Sequence, residues 1–216
     1  MELTLIRHGQ STGNVARETA IEAGADTLDI PEREPDIPLT PLGEKQAAAV
    51  GRILAERPPP TLVLSSPYVR ALETARIALA TAGLSSGLSS GIRLDERLRD
   101  RDMGAFGGLT PLGVRRRFPE EHARQALLGK FYYRPPGGES WTDVAQRLRS
   151  VLAELPSDGR VLIATHDAII VLFRYIIEGL TEAEVMEIEK ETVANASVSH
   201  WRDGEPVVYN DASFLG

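Results

Sequence analysis

Arg7, His8, Arg70 and His166 combine reactive side chains with a telling placement. His8 ends the opening stretch MELTLIRH, and His166 follows VLIAT, so each imidazole comes directly after a short apolar run that reads as a buried strand. In an open α/β sheet the carboxyl ends of the strands share one edge, where ligands bind. Two histidines far apart in the chain are therefore expected to meet. Arg70 arrives by the same route. TLVLS (61–65) reads as a strand, and SPYVRALETARIALATA (66–82) reads as a helix with Ser66 as cap and Pro67 next. Arg70 then falls in the first turn or just beyond it. Positive charge there opposes the helix dipole, but it makes a good clamp for phosphate or carboxylate beside free backbone N–H groups. The helix beginning near Asp167 points its start at the same place.

Guanidiniums beside an imidazole favour its neutral form, and neutral imidazole is a nucleophile. The same guanidiniums can bind phosphoryl oxygens and stabilise charge in a transition state. Arginines repel cations, and the chain has no His-x-His pair or His-rich cluster. The spacing thus points to an anion-handling site, not a metal site. A leaving oxygen also needs a proton donor. RLDERLRDRDMGAFGGLTPLG (93–113) offers Glu96, Asp100 and Asp102, and the residues alone do not rank them. His122 and His200 read as an ordinary surface or packing histidine each.

The elements that must position these groups alternate. Strands are expected at Glu2–Ile6, 61–65 and 160–165, and helices from Thr40 to RPPP, over 66–82, 140–155, 167–180 and 181–191. VSHWRDGEPVVYN reads as a hairpin turning at Asp203-Gly204. Region 15–38 reads as a long acidic loop with a short helix. The fold class that follows is α/β: a three-layer sandwich, with a mostly parallel central sheet, helices on both faces and a C-terminal antiparallel hairpin. We expect one domain over 1–216, with a helical excursion at 101–139 over the active-site edge. The run Arg115–Arg117 reads as a solvated helix face.

Bulk numbers narrow the function classes. Two hundred and sixteen residues, 42% hydrophobic and 25% charged, suit a soluble globular protein. No apolar run approaches the ~18 residues of a membrane span, and no secretory signal pattern opens the sequence. With no cysteine, disulfides, thiolate ligands and a cysteine nucleophile are excluded. A cytoplasmic location is expected, where the sequon NAS (195–197) carries no meaning. A net charge of −7 argues against nucleic acid or an acidic membrane as partner. It leaves room for a small anionic substrate. GLSSGLSSG (83–91) contains G-x-S-x-G twice, but a nucleophile elbow follows a strand and opens a helix. Here a helix precedes and weak strand IRL follows, so the segment reads as a flexible loop.

Several motifs together resemble the histidine phosphatase superfamily, in its phosphoglycerate mutase-like branch. LIRHGQSTGN resembles the RHG signature. DIPLTPLGEKQAAAVG, SSPYVRALETA, LRDRDMGAFGGLT, PGGESWTDVAQRL and VLIATHDA resemble the family's further motifs in the same order. The resemblance implies that His8 is the nucleophile that becomes phosphohistidine. It implies that Arg7, Asn14, Arg70 and His166, with the Asp167 backbone N–H, form the phosphate pocket. Asp100 falls where the family has its general acid, usually Glu, and Glu96 is the reserve. Asp167 stands where the family often has Gly, so its carboxylate must turn away or be held by an arginine. Gln10 replaces a frequent Glu. The implied activity is a phosphomonoesterase acting on a small phosphorylated metabolite, with no cofactor and no metal. The rivals are mutase-type phosphoryl transfer, a catalytically weak phospho-ligand-binding protein, and a serine hydrolase using Ser85 or Ser89. Phe106, Phe131, Tyr132, Tyr133 and Arg134 either shape a substrate pocket or pack the excursion onto the sheet.

Overall fold

The computed structural model describes residues 1–84 and 91–215. The two G-x-S-x-G matches run through 85–90, with Ser85 and Ser89 outside the described residues. Six strands form one sheet: β1 (Glu2–Arg7), β2 (Leu62–Ser65), β3 (Ile92–Leu94), β4 (Arg160–Thr165), β5 (Val198–Arg202) and β6 (Glu205–Asp211). Their order is β3-β2-β4-β1-β5-β6. The first four in that order run parallel, while β5 pairs antiparallel with both β1 and β6. The expected hairpin is present. Asp203 and Gly204 have φ of 53° and 86°, the pair of positive angles that a tight two-residue turn needs.

Alternation along the strands builds two cores. Leu3, Leu5, Val161, Ile163 and Leu64 face one side, with α6 (Trp141–Glu154) and α7 (Asp167–Ile177) packed on it. Ile6, Leu162 and Val63 face the other, under α2 (Pro41–Ala55) and α3 (Val69–Thr81). The side-chain period of two on strands buried on both faces gives this three-layer arrangement. Thr40 caps α2 with Pro41 at its first position, and Ser140 caps α6 through a reciprocal bond with Asp143. Each surrounds a helix start that the sequence marks.

Two expectations need correction. Region 15–38 is less of a loop than expected: α1 runs from Thr12 to Glu22, and a 3-10 turn follows at Glu34–Asp36. A capping box between Ser11 and Asn14 starts α1, with Asn in place of the Glu or Gln that marks such boxes in a sequence. The second concerns α3, which begins at Val69 with Tyr68 as its cap, not at Ser66. The Ser66 hydroxyl instead bonds His166 Nε2 at 2.8 Å and accepts the Tyr68 N–H. Arg70 still lies in the first turn. The excursion holds a 3-10 turn at Gly104–Phe106, α4 (Pro111–Arg117) and α5 (Pro119–Leu128). Helix α8 (Glu182–Ile188) follows α7. Among the described residues no helix is long and apolar enough to cross a membrane.

Candidate active site

The parallel register sets Arg7 opposite Thr165. His8 and His166 therefore leave adjacent strands at the same level, and the His8 N–H bonds the Thr165 carbonyl at 2.9 Å. The two ring centroids lie 5.2 Å apart, edge to face. Tyr68 also packs edge to face against His166, with centroids 5.2 Å apart. Both imidazoles are buried, as are Arg7 and Arg70.

His8 Nδ1 lies 2.7 Å from the Gly9 carbonyl oxygen. A carbonyl can only accept, so Nδ1 carries the proton. Burial holds the His8 pKa well below the usual imidazole value, helped by His166, Arg70 and Arg7. The ring is neutral, and the lone pair sits on Nε2. His166 is likewise held well below the imidazole range, by burial first and then by Arg70, Arg7 and Arg147. Its Nδ1 is buried without a hydrogen-bond partner among the described residues, as is Arg7 Nε. Buried polar atoms in that condition are uncommon; Trp141 Nε1, Ser197 Oγ and Tyr209 Oη share it, and His166 Nδ1 and Arg7 Nε belong to the cluster.

The supports of this cluster come from several elements. Gly9 N–H donates to Thr74 Oγ1 at 3.0 Å, and that hydroxyl donates to the Arg70 carbonyl at 2.7 Å. Thr74 thus ties the His8 loop to α3. Gly9 and α2 touch backbone to backbone, since a Cβ on Gly9 would sit 2.4 Å from the Gly43 oxygen. Asn195 Nδ2 donates to the His8 carbonyl at 3.0 Å and to Asn14 Oδ1 at 3.2 Å. Asn14 Oδ1 also accepts from the Ser11 backbone N–H at 3.0 Å, so its oxygen is engaged within the protein. Arg7 Nη1 donates to the Val193 carbonyl. The Val193 N–H in turn donates to Asp167 Oδ1 at 3.3 Å. The Asp167 carboxyl is thereby held at Val193, the residue whose carbonyl Arg7 also binds. Burial raises its pKa, against the pull of Arg7.

Among the candidate acids, Asp100 lies with the cluster. Its Oδ2 is 3.6 Å from His166 Nδ1 and 3.4 Å from Arg70 Nη2. Glu96 is exposed in the 3-10 turn Glu96–Leu98. The Asp102 side chain accepts the Gly104 N–H at 2.8 Å. Glu139 was not singled out from the sequence, yet its carboxylate accepts from Arg99, from Arg147 and from the Asp102 N–H. Those bonds fasten the 98–102 segment to the start of α6. Thr74 and Asn195 were missed as well. Thr74 lies one helical turn after Arg70, a weak signal. Asn195 belongs to the sequon dismissed above, and nothing local marks its role.

Of the aromatics, Phe106, Phe131 and Tyr133 are buried in the excursion and its seat. Phe106 stacks on Tyr133 at 6.3 Å, and the Tyr133 hydroxyl donates to Glu121 at 2.8 Å. Packing is their role. Tyr132 is exposed. Of the two ordinary histidines, His122 is exposed and His200 is buried beside Thr4 at 3.0 Å. A cleft of about 310 Å³ contains His200, Arg57, Arg160 and Arg202 at the opposite edge of the sheet, away from His8 and His166.

A neutral imidazole with a free Nε2, two buried guanidiniums, a second neutral imidazole and a carboxyl can together bind a tetrahedral oxyanion and attack its centre. The comparisons agree with that chemistry. The histidine phosphatase superfamily (branch 1) profile matches residues 3–209. A 2,3-bisphosphoglycerate-dependent phosphoglycerate mutase of Methylobacterium radiotolerans is 30% identical over 96% of this chain and 88% of its own. A glucosyl-3-phosphoglycerate phosphatase of Mycolicibacterium vanbaalenii is 32% identical over 82% of this chain and 74% of its own. The solved structure of a mycobacterial glucosyl-3-phosphoglycerate phosphatase complexed with VO3 superposes with a TM-score of 0.74. It is 29% identical, and the match covers 98% of this chain and 99% of that one.

Proposed function

The chain belongs to the histidine phosphatase superfamily, branch 1, and from that premise we propose a phosphomonoesterase that works through a phosphohistidine at His8. Nε2 of neutral His8 attacks phosphorus in line. The N–P bond forms as the ester P–O bond breaks, and Asp100 in its acid form gives its proton to the leaving oxygen. Water then attacks the phosphohistidine. Its proton passes to Asp100, the N–P bond breaks, and inorganic phosphate leaves. Arg7, Arg70, His166 and Asn14 hold the phosphoryl oxygens, and the free N–H groups at the start of α7, Asp167 among them, add to the same field.

The observation that carries this reading is the His8 Nδ1–Gly9 bond. It fixes the tautomer that leaves Nε2 as the nucleophile, beside two buried arginines. The substrate class we favour is a small phosphorylated metabolite. Sugar-linked phosphoglycerates head the panel, because one relative bears the name of a glucosyl-3-phosphoglycerate phosphatase. Phosphate release across a phosphomonoester panel tests it, with wild type, His8→Ala, Asp100→Asn and Glu96→Gln. Loss in the first two variants with retention in the third supports the assignment. Loss confined to Glu96→Gln would move the acid role there. The mutase reading has a specific support in the 30% identical mutase relative. Conversion of a phosphoglycerate to its isomer without release of inorganic phosphate would favour it.

A further inference from the structure

Arg70 does not stand free in this site. Its Nη1 donates to the Glu34 carbonyl at 2.8 Å, and its Nη2 donates to Glu34 Oε1 at 2.7 Å. Asp100 Oδ2 lies 3.4 Å from the same Nη2. Both protons of Nη2 thus face protein acceptors, and a phosphoryl oxygen can use that nitrogen once one acceptor leaves. Glu34 is the one able to leave. Its backbone sits in the 3-10 turn Glu34–Asp36, closed by the Asp36 N–H on the Arg33 carbonyl at 2.8 Å. Its side chain is 59% exposed, against 4% for Arg70. Rotation of the Glu34 side chain returns the carboxylate to water while the carbonyl keeps Nη1 in place. Asp100 is less free, with Oδ1 accepting the Arg101 N–H at 2.9 Å.

We propose that Glu34 is an internal competitor for Arg70. Its carboxylate occupies one edge of the guanidinium, and a phosphoryl oxygen that takes Nη2 displaces it. The idea rests on the reading above, in which Arg70 binds that group. Displacing a charged contact subtracts the strength of that contact from the affinity of the ligand. Substrate and product phosphate lose it alike, so Glu34 weakens uniform binding and leaves the chemical step alone. Its benefit is turnover: two buried arginines with a buried histidine would hold inorganic phosphate tightly, and release limits many enzymes. Glu34 touches no reacting atom and acts through Arg70.

The test is the Kd of inorganic phosphate by calorimetry, with kcat and KM for p-nitrophenyl phosphate, in wild type, Glu34→Gln, Arg70→Ala and the double variant. Glu34→Gln is expected to tighten phosphate about two- to fivefold and to lower KM by a similar factor, with kcat equal or lower. Arg70→Ala is expected to weaken phosphate, and Glu34→Gln to add nothing in that background. Unchanged or weaker phosphate binding in a Glu34→Gln protein of wild-type Tm overturns the competitor role and leaves the phosphatase reading intact. Phosphate binding indifferent to Arg70→Ala overturns the site reading itself. If Arg70→Ala does not fold, Glu34→Gln and Glu34→Ala decide the proposal alone, since an exposed side chain contributes little to stability.

Discussion

At the scale of single residues, Asp100 carries the sharpest consequence. It is one methylene shorter than the Glu common in the family, yet its Oδ2 lies 3.6 Å from His166 Nδ1. Two bonds hold it there: Arg147 donates to the Asp100 carbonyl at 3.2 Å, and the Arg101 N–H donates to Oδ1 at 2.9 Å. General acid catalysis matters most for a poor leaving group. Asp100→Asn should therefore lower kcat/KM for an alkyl phosphate by about 10²–10⁴. The loss should be much smaller for p-nitrophenyl phosphate, whose phenolate leaves without a proton. Equal losses on both substrates would remove Asp100 from the acid role. The residues of the candidate site were legible as neighbours: His8, Arg70 and His166 stood out because each comes after a strand, and all three are buried together, with the two imidazole centroids 5.2 Å apart. Thr74 and Asn195 were not, because their partners, the Gly9 N–H and the His8 carbonyl, lie on remote segments.

Whole elements decide whether those residues meet. Strands β1, β2 and β4 are visible in the sequence because apolar runs bounded by polar residues leave little alternative. The start of α3 is not, since Ser66 has a tertiary partner in His166 that outweighs its local preference as a cap. The 98–102 segment poses the same problem. It has no helix or strand to hold Asp100, and Glu139 supplies that hold through Arg99, Arg147 and the Asp102 N–H. The Glu139 side chain is 15% exposed and the Arg147 side chain 10%. Removing one partner of so enclosed a pair leaves the other charge without compensation. Glu139→Ala should cost about 3 kcal/mol of stability, read as a lower urea midpoint. It should also lower kcat for an alkyl phosphate about tenfold at a temperature where the variant is folded. A variant with full stability and full kcat would mean that the segment holds itself.

For the molecule as a whole, burial of histidine links the fold to pH. His8, His166 and His200 all lie below the ordinary imidazole value of 6.5 in the folded chain, each chiefly through burial. The unfolded chain therefore binds more protons than the native one as pH falls through 6.5 and below. Since ∂ΔG/∂pH follows that difference, stability rises with pH there and is lost on acidification. Asp167 has the opposite sign. Its raised pKa gives stability that is lost as pH climbs out of the carboxylate range. Over pH 5 to 7 the imidazoles outnumber it, and each can contribute up to about 1.4 kcal/mol per pH unit. Urea midpoints should fall steadily from pH 7 to pH 5. His200→Gln separates the contributions, because His200 faces Thr4 and the cleft at the far edge of the sheet. The variant should show a shallower pH slope with unchanged kcat/KM. A flat wild-type profile would show that the buried imidazoles do not set the acid sensitivity of this fold, and a His200→Gln slope equal to wild type would remove His200 from that set.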